Sequence, residues 1–120
     1  VAIQGDASAR CGISMKGVDI VVGGSVGHMS AFMAQAGNLV VCGNAGHNLG
    51  DSIYEAKIYV AGKVQSLGSD CIEKDMTETH KINLEQLLQR SKISANANKF
   101  KRFGSARKLY NFKVQNAQKY

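Results

Sequence analysis

Proline is absent from the 120 residues, and no apolar run is longer than a few residues. The missing proline suits stacked, ladder-paired strands, because every interior strand needs its backbone N–H. The missing apolar run excludes a helical membrane span, which takes roughly 20 residues, and no charged-then-apolar leader opens the chain. The three cysteines, Cys11, Cys42 and Cys71, are odd in number and form no Cys-x-x-Cys pair. That spacing argues against a disulfide framework or a zinc ribbon and for buried free thiols in a reducing compartment, so a cytoplasmic location is expected. No acid follows Glu85. The chain also starts without methionine and in mid-strand, as a fragment of a longer protein would.

What is present is a repeat. Leu39-Val40-Val41-Cys42-Gly43-Asn44-Ala45-Gly46 is a short apolar run stopped by glycines. Related runs lie 19 residues away on either side, Ile20-Val21-Val22-Gly23-Gly24 and Ile58-Tyr59-Val60-Ala61-Gly62, and a fourth opens the chain at Val1-Ala2-Ile3-Gln4-Gly5. A fixed period of this length is the mark of a solenoid, whose coils bury their apolar faces only by stacking. Period-2 alternation turns Val1 and Ile3, Ile20 and Val22, Leu39 and Val41, Ile58 and Val60 inward. Two further inward columns are Ala7, Val26, Ala45, Val64 and Met15, Ala34, Ile53, Ile72. Several inward positions per coil, separated by glycine bends, predict a parallel β-helix.

The outward positions are of two kinds. Asp19, Asn38 and Lys57 form a polar column suited to solvent. Ala2, Val21, Val40 and Tyr59 form an apolar one, which requires a cover, either the chain's own tail or another subunit. Val21, Val40 and Tyr59 are therefore candidate partner-docking residues. The turn glycines are Gly5, Gly24, Gly27, Gly43, Gly46, Gly62 and Gly68, each needed for positive φ or for close backbone approach. In the fourth copy Gln65 replaces the second glycine, marking the approach to the end of the stack.

Residues 1–75 thus read as β-helix coils and 76–120 as a cap and tail. Cys71 to Thr79 reads as a loop. Asn83 and Gln86 have capping-box spacing, and Leu84, Leu87 and Leu88 share a face, which predicts a helix closing the open end of the core. The tail holds nine Lys and Arg residues from Gln86 onward, leaving a net charge of −3 on the first 85 residues. Phe100, Phe103, Tyr110, Phe112 and Tyr120 are interleaved with them, too many aromatics for a disordered arm. Arg107, Lys108, Tyr110 and Phe112 are further candidate docking residues.

No catalytic constellation emerges. Gly43 to Gly50 lacks the ending of a P-loop and does not match Gly-x-Gly-x-x-Gly. His28 and His47 stand one repeat apart, about 4.8 Å along the stack, but Ala9 and Ser66 in the neighbouring copies supply no third metal ligand. Asp51, Glu55 and Asp70 fall on turns or outward positions, where acids are ordinarily solvated. The basic, aromatic tail suits nucleic acid, so a nucleic-acid-binding β-solenoid is the alternative, although the acidic solenoid would repel a polyanion.

Ser8-Ala9-Arg10-Cys11-Gly12-Ile13-Ser14-Met15-Lys16-Gly17, Val21 to Gly27 and Val41 to Gly46 resemble the C-terminal GXGXG domain of the large chain of glutamate synthase. Gly104-Ser105-Ala106-Arg107-Lys108-Leu109-Tyr110-Asn111-Phe112 resembles the ending of the free-standing versions of that domain, namely the GXGXG subunit of N-methylglutamate synthase and its GlxC-like relatives. The resemblance implies an all-β, right-handed β-helix that carries no catalytic, cofactor or metal-binding residues. It implies that FMN and an iron–sulfur cluster belong to a partner subunit, and that this chain bridges that subunit and a glutamine amidotransferase-like one in a cytoplasmic complex without membrane. The product would be N-methylglutamate or glutamate.

Overall fold

The alternation read above builds the strands of the fold. A computed structural model describes residues 1–106. Its strands are β1 (Ala2–Ile3), β2 (Lys16–Val22), β3 (Ala36–Val41), β4 (Lys57–Val60), β5 (Cys71–Lys74) and β6 (Lys101–Ser105), with helix α1 (Glu78–Arg90) and a short 3-10 turn at Ala97–Lys99 before β6. Strands β1 to β4 pair in parallel with the 19-residue register of the repeat, for example Ala2 with Val21, Val21 with Val40 and Val40 with Tyr59. The glycine corners continue the stack through parallel bridges, Val26 with Ala45 and Ala45 with Val64. The fold is the expected β-solenoid, of about three turns.

The inward columns meet in one core. Val22, Leu39, Val41, Ile58 and Val60 from the strands join Val26 and Ala45 from one corner and Met15, Ala34 and Ile53 from the other. Leu39, Ile53 and Ile58 are fully buried. Each buried aliphatic side chain contributes about 1.5–3 kcal/mol, and no single coil achieves that burial alone.

The corner preceding the strands is built from left-handed backbone. Arg10, Met29 and Asn48 have φ of 61°, 56° and 59°, and Ser14, Met33 and Ser52 have φ of 53°, 56° and 61°. Gly12, Ala31 and Gly50 lie between them at 74°, 61° and 71°. For the non-glycine residues this conformation costs on the order of 1 kcal/mol each. It is offset by bonds along the stack: Arg10 and Met29 donate to the carbonyls of His28 and His47 at 2.9 and 2.7 Å, and Ala31 donates back to Cys11 at 2.6 Å.

The stack ends differently from the sequence reading. Cys71 to Lys74 is strand β5, not loop, because β6 returns antiparallel between β4 and β5 and gives the sheet the order β1-β2-β3-β4-β6-β5. Cys71, 5% exposed, takes the inward place, and Ile72 turns outward at 45% exposure, so the third column ends at Ile53. Helix α1 starts earlier than expected. Thr77 is its N-cap, accepting from the His80 N–H while the His80 side chain accepts from the Thr77 N–H. Asn83 lies inside the helix.

Candidate functional site

Each strand leaves its coil at a glycine corner. Gly5, Gly24, Gly43 and Gly62 all lie outside the left-handed region; close approach, not φ, explains Gly24, Gly43 and Gly62, whereas neither requirement holds at Gly5, contrary to expectation. A Cβ on Gly43 would stand 2.8 Å from the Gly24 carbonyl carbon and would run into the Ser25 hydroxyl; one on Gly62 would run into the Asn44 side-chain oxygen, and one on Gly24 into the Asp6 carboxylate. Gly27, Gly46 and Gly68 are equally tight, against Ala9, Gly27 with His28, and Asp51. Gly5 has nothing within 4 Å.

The atoms in those spaces form a ladder. Asp6 Oδ1 accepts from the Ser25 N–H at 2.7 Å, Ser25 Oγ from the Asn44 N–H at 2.8 Å, and Asn44 Oδ1 from the Lys63 N–H at 2.8 Å. Each short side chain crosses the glycine of the next coil to reach its backbone. Sequence reasoning missed this ladder, although the signal was present: a glycine followed by a short acceptor in three successive copies, ending where Lys63 supplies none. Beside it runs a shallow groove lined by His28, His47, Lys63 and Gln65. The His47 Nδ1 lies 3.2 Å from Ser66 Oγ, and among the described residues no three His, Cys, Asp or Glu side chains are grouped for a metal. The three thiols are free: Cys71 is buried, whereas Cys11 and Cys42 are half-buried, against the expectation that all would be buried.

The outer apolar column is not a docking surface. Val21, Val40 and Tyr59 are 2%, 0% and 0% exposed beneath Leu84, Leu87 and Leu88 of α1, with Ala97 and Phe100 completing this second core. The reason is register: the three leucines share the helix face laid along the column. Helix α1 therefore covers the side of the solenoid and does not close its end. Phe100 and Phe103 are each 5% exposed, in the outer and inner cores respectively, which removes them as stacking platforms for bases. Arg107, Lys108, Tyr110, Phe112 and Tyr120 lie outside the described residues.

A basic cluster sits where α1 begins. Strand pairing sets Tyr59 opposite Arg102 and Lys74 opposite Arg102, and the same outward face carries Lys57. The stem of Lys74 lies across Gly104, where a Cβ would stand 3.2 Å from its Cδ and 3.8 Å from its Nζ. Arg102 Nε donates to the Asp75 carbonyl at 2.9 Å. His80, on the helix face above, is held more neutral than an ordinary imidazole by burial and then by the charges of Arg102 and Lys57. The Tyr59 hydroxyl is buried and forms no well-aligned hydrogen bond. The Asn83 side chain and Arg102 stand near it and partly oppose the rise in its pKa that burial causes. Nothing in the sequence joined these residues, which come from three separate segments.

The family described as "GXGXG motif" matches residues 1–118. Protein GlxC of Rhizobium meliloti (strain 1021) is 58% identical over 96 residues, which cover 79% of this chain and 42% of that protein. The chain thus spans less than half the length of this curated relative. No solved structure matches the chain.

Proposed function

Because the chain belongs to the GXGXG motif family, whose match runs from residue 1 to 118, we propose that it is a non-catalytic structural element of a glutamate synthase-like complex. The observation that carries this reading is that match together with 58% identity to protein GlxC. The solenoid suits such a role. Its two cores and its hydrogen-bonded corners make an elongated body 44 Å long. The product assigned is N-methylglutamate, and the partners bridged are a glutamine amidotransferase-like subunit and a subunit holding FMN and an iron–sulfur cluster.

The residues of this chain do not fit an iron–sulfur cluster. Cys71 and Cys11 pack with the inner core and Cys42 with the outer one, and burial raises the pKa of all three thiols, disfavouring the thiolate that iron requires. The cluster is accordingly assigned to the partner, and the flavin is placed there with it on the resemblance alone. The test is purification from the native source under mild conditions, with identification of co-eluting chains and a visible spectrum. Two co-eluting subunits with flavin and iron–sulfur absorbance are expected. A colourless single species overturns the proposal.

A further inference from the structure

We propose that the outward face of β4, β6 and β5 beside the start of α1 is a binding site for a phosphate-type oxyanion, held by Lys57, Lys74 and Arg102 with His80 above them. The three cations share one face. Lys57, Lys74 and Arg102 are half-buried on one face of three adjacent strands, and the pairing fixes them as neighbours. Gly104 has no side chain, which leaves room for the Lys74 stem to lie over the strand toward the position opposite Lys57.

None of the three cations is in an ion pair among the described residues. The Lys81–Glu78 pair, at 4.0 Å, lies on the surface of the helix and involves none of them. The carboxylate of Asp19, in the column of Lys57, accepts from the Asn38 amide at 2.8 Å. Asp75 meets Arg102 through its main-chain carbonyl, and Glu73 lies on the opposite face of its strand from Lys74. Half-buried like charges repel, and cations that are in no ion pair are stabilised by an anion between them.

The Tyr59 hydroxyl points the same way, independently of charge. On a residue 0% exposed, it forms no well-aligned hydrogen bond; the Asn83 side chain stands within reach of it and Arg102 is close by. A buried hydroxyl with so poor a partner is stabilised by an acceptor oxygen placed beside it. The first N–H groups of α1, a helix of 13 residues, add the positive end of its dipole. A carboxylate carries one charge against three cations, whereas a phosphate group carries nearly two, with more oxygens to meet the Lys57 and Lys74 ammonium groups and the terminal nitrogens of Arg102, whose Nε is taken by the Asp75 carbonyl. The site stands whether or not the chain braces a glutamate synthase-like complex.

The test measures the melting midpoint of the full chain in sodium chloride, sodium acetate, inorganic phosphate and AMP at equal ionic strength, with proton NMR of the His80 ring. Phosphate is expected to raise the midpoint several degrees above chloride and acetate and to shift the His80 signals saturably. Lys74→Met keeps the aliphatic stem over Gly104 and removes the charge. It is expected to melt no lower than the parent in chloride and to lose most of the phosphate increment. A response to AMP equal to that of phosphate supports the site as a reader of the phosphate group in either source; a response to phosphate alone supports it for the free ion. Equal midpoints in phosphate, chloride and acetate overturn the proposal. So does a full phosphate increment in both Lys74→Met and Lys57→Met.

Discussion

Substituting alanine at two glycines of one column should move stability in opposite directions. Gly43 and Gly5 occupy the same place in the repeat, and neither has left-handed backbone. At Gly43 an added Cβ would meet the Ser25 hydroxyl and stand 2.8 and 2.9 Å from the Gly24 carbonyl carbon and oxygen. Relief requires the coils to part, and it removes the bond from the Asn44 N–H to Ser25 Oγ. The overpacking costs about 1–3 kcal/mol and the lost hydrogen bond about 1 kcal/mol. Alanine returns about 0.4–1 kcal/mol by restricting the unfolded chain, so Gly43→Ala should destabilise by about 1–3.5 kcal/mol. At Gly5 nothing lies within 4 Å, and only the entropic gain remains. Gly5→Ala should therefore be neutral or more stable by up to about 1 kcal/mol. The assay is denaturant unfolding of the full chain followed by far-ultraviolet circular dichroism. Equal effects of the two substitutions would refute the stacking argument. A second arm is Gly43→Asn: asparagine tolerates left-handed backbone, so a much milder effect than alanine would show that φ governs the corner after all.

Two further outcomes follow from the cores. Leu87→Ala removes a side chain 3% exposed between α1 and the Val21, Val40, Tyr59 column, and should cost about 2–5 kcal/mol and loosen the helix first, seen as faster amide exchange in α1 than in β2 and β3. The Cys71 thiol is pushed up to about 11, by burial first and then by the charge of Asp51, with Lys74 opposing. A thiol raised in the fold above its unfolded value of 9.0 stabilises the native state below pH 9. That contribution is lost as pH rises toward 11, so Cys71→Ser should flatten the decline of stability over that interval. At about pH 8 a thiol reagent should label Cys71 more slowly than the half-buried Cys11 and Cys42.

The strands and inner core were legible because a 19-residue period repeats one physical requirement in each coil. Once Val41 turns inward, stacking fixes Val22 and Val60 in the same column, and the parallel pairing confirms it. The left-handed corner was not legible. Its glycines occur only at Gly12 and Gly50, and Ala31 takes the same place at φ 61°, held by bonds between coils that no single coil reveals. Propensity gives way there to tertiary context. The end of the stack was missed for a related reason. Cys71-Ile72-Glu73-Lys74 is too short and polar to announce a strand, and it becomes one only because β6, far along the chain, returns to pair with it.

The outer face shows the limit of reading function from an unpaired surface. The sequence correctly demanded a cover for Val21, Val40 and Tyr59 but did not say whose. The same three leucines that marked α1 supply it, so an apolar column that looked like an interface is the second core of the monomer. What α1 leaves uncovered follows from where it starts. Thr77 and His80 cap it over the β4 end of the sheet, and beyond that cap the outward face passes from apolar Tyr59 to Lys57, Arg102 and Lys74. Apolar burial and helix capping are both satisfied within the chain, whereas these three charges form no ion pair among the described residues. Since the chain's own helix covers the Val21, Val40 and Tyr59 column, that column no longer argues for a partner, and the basic outward face beside it is where recognition is to be tested.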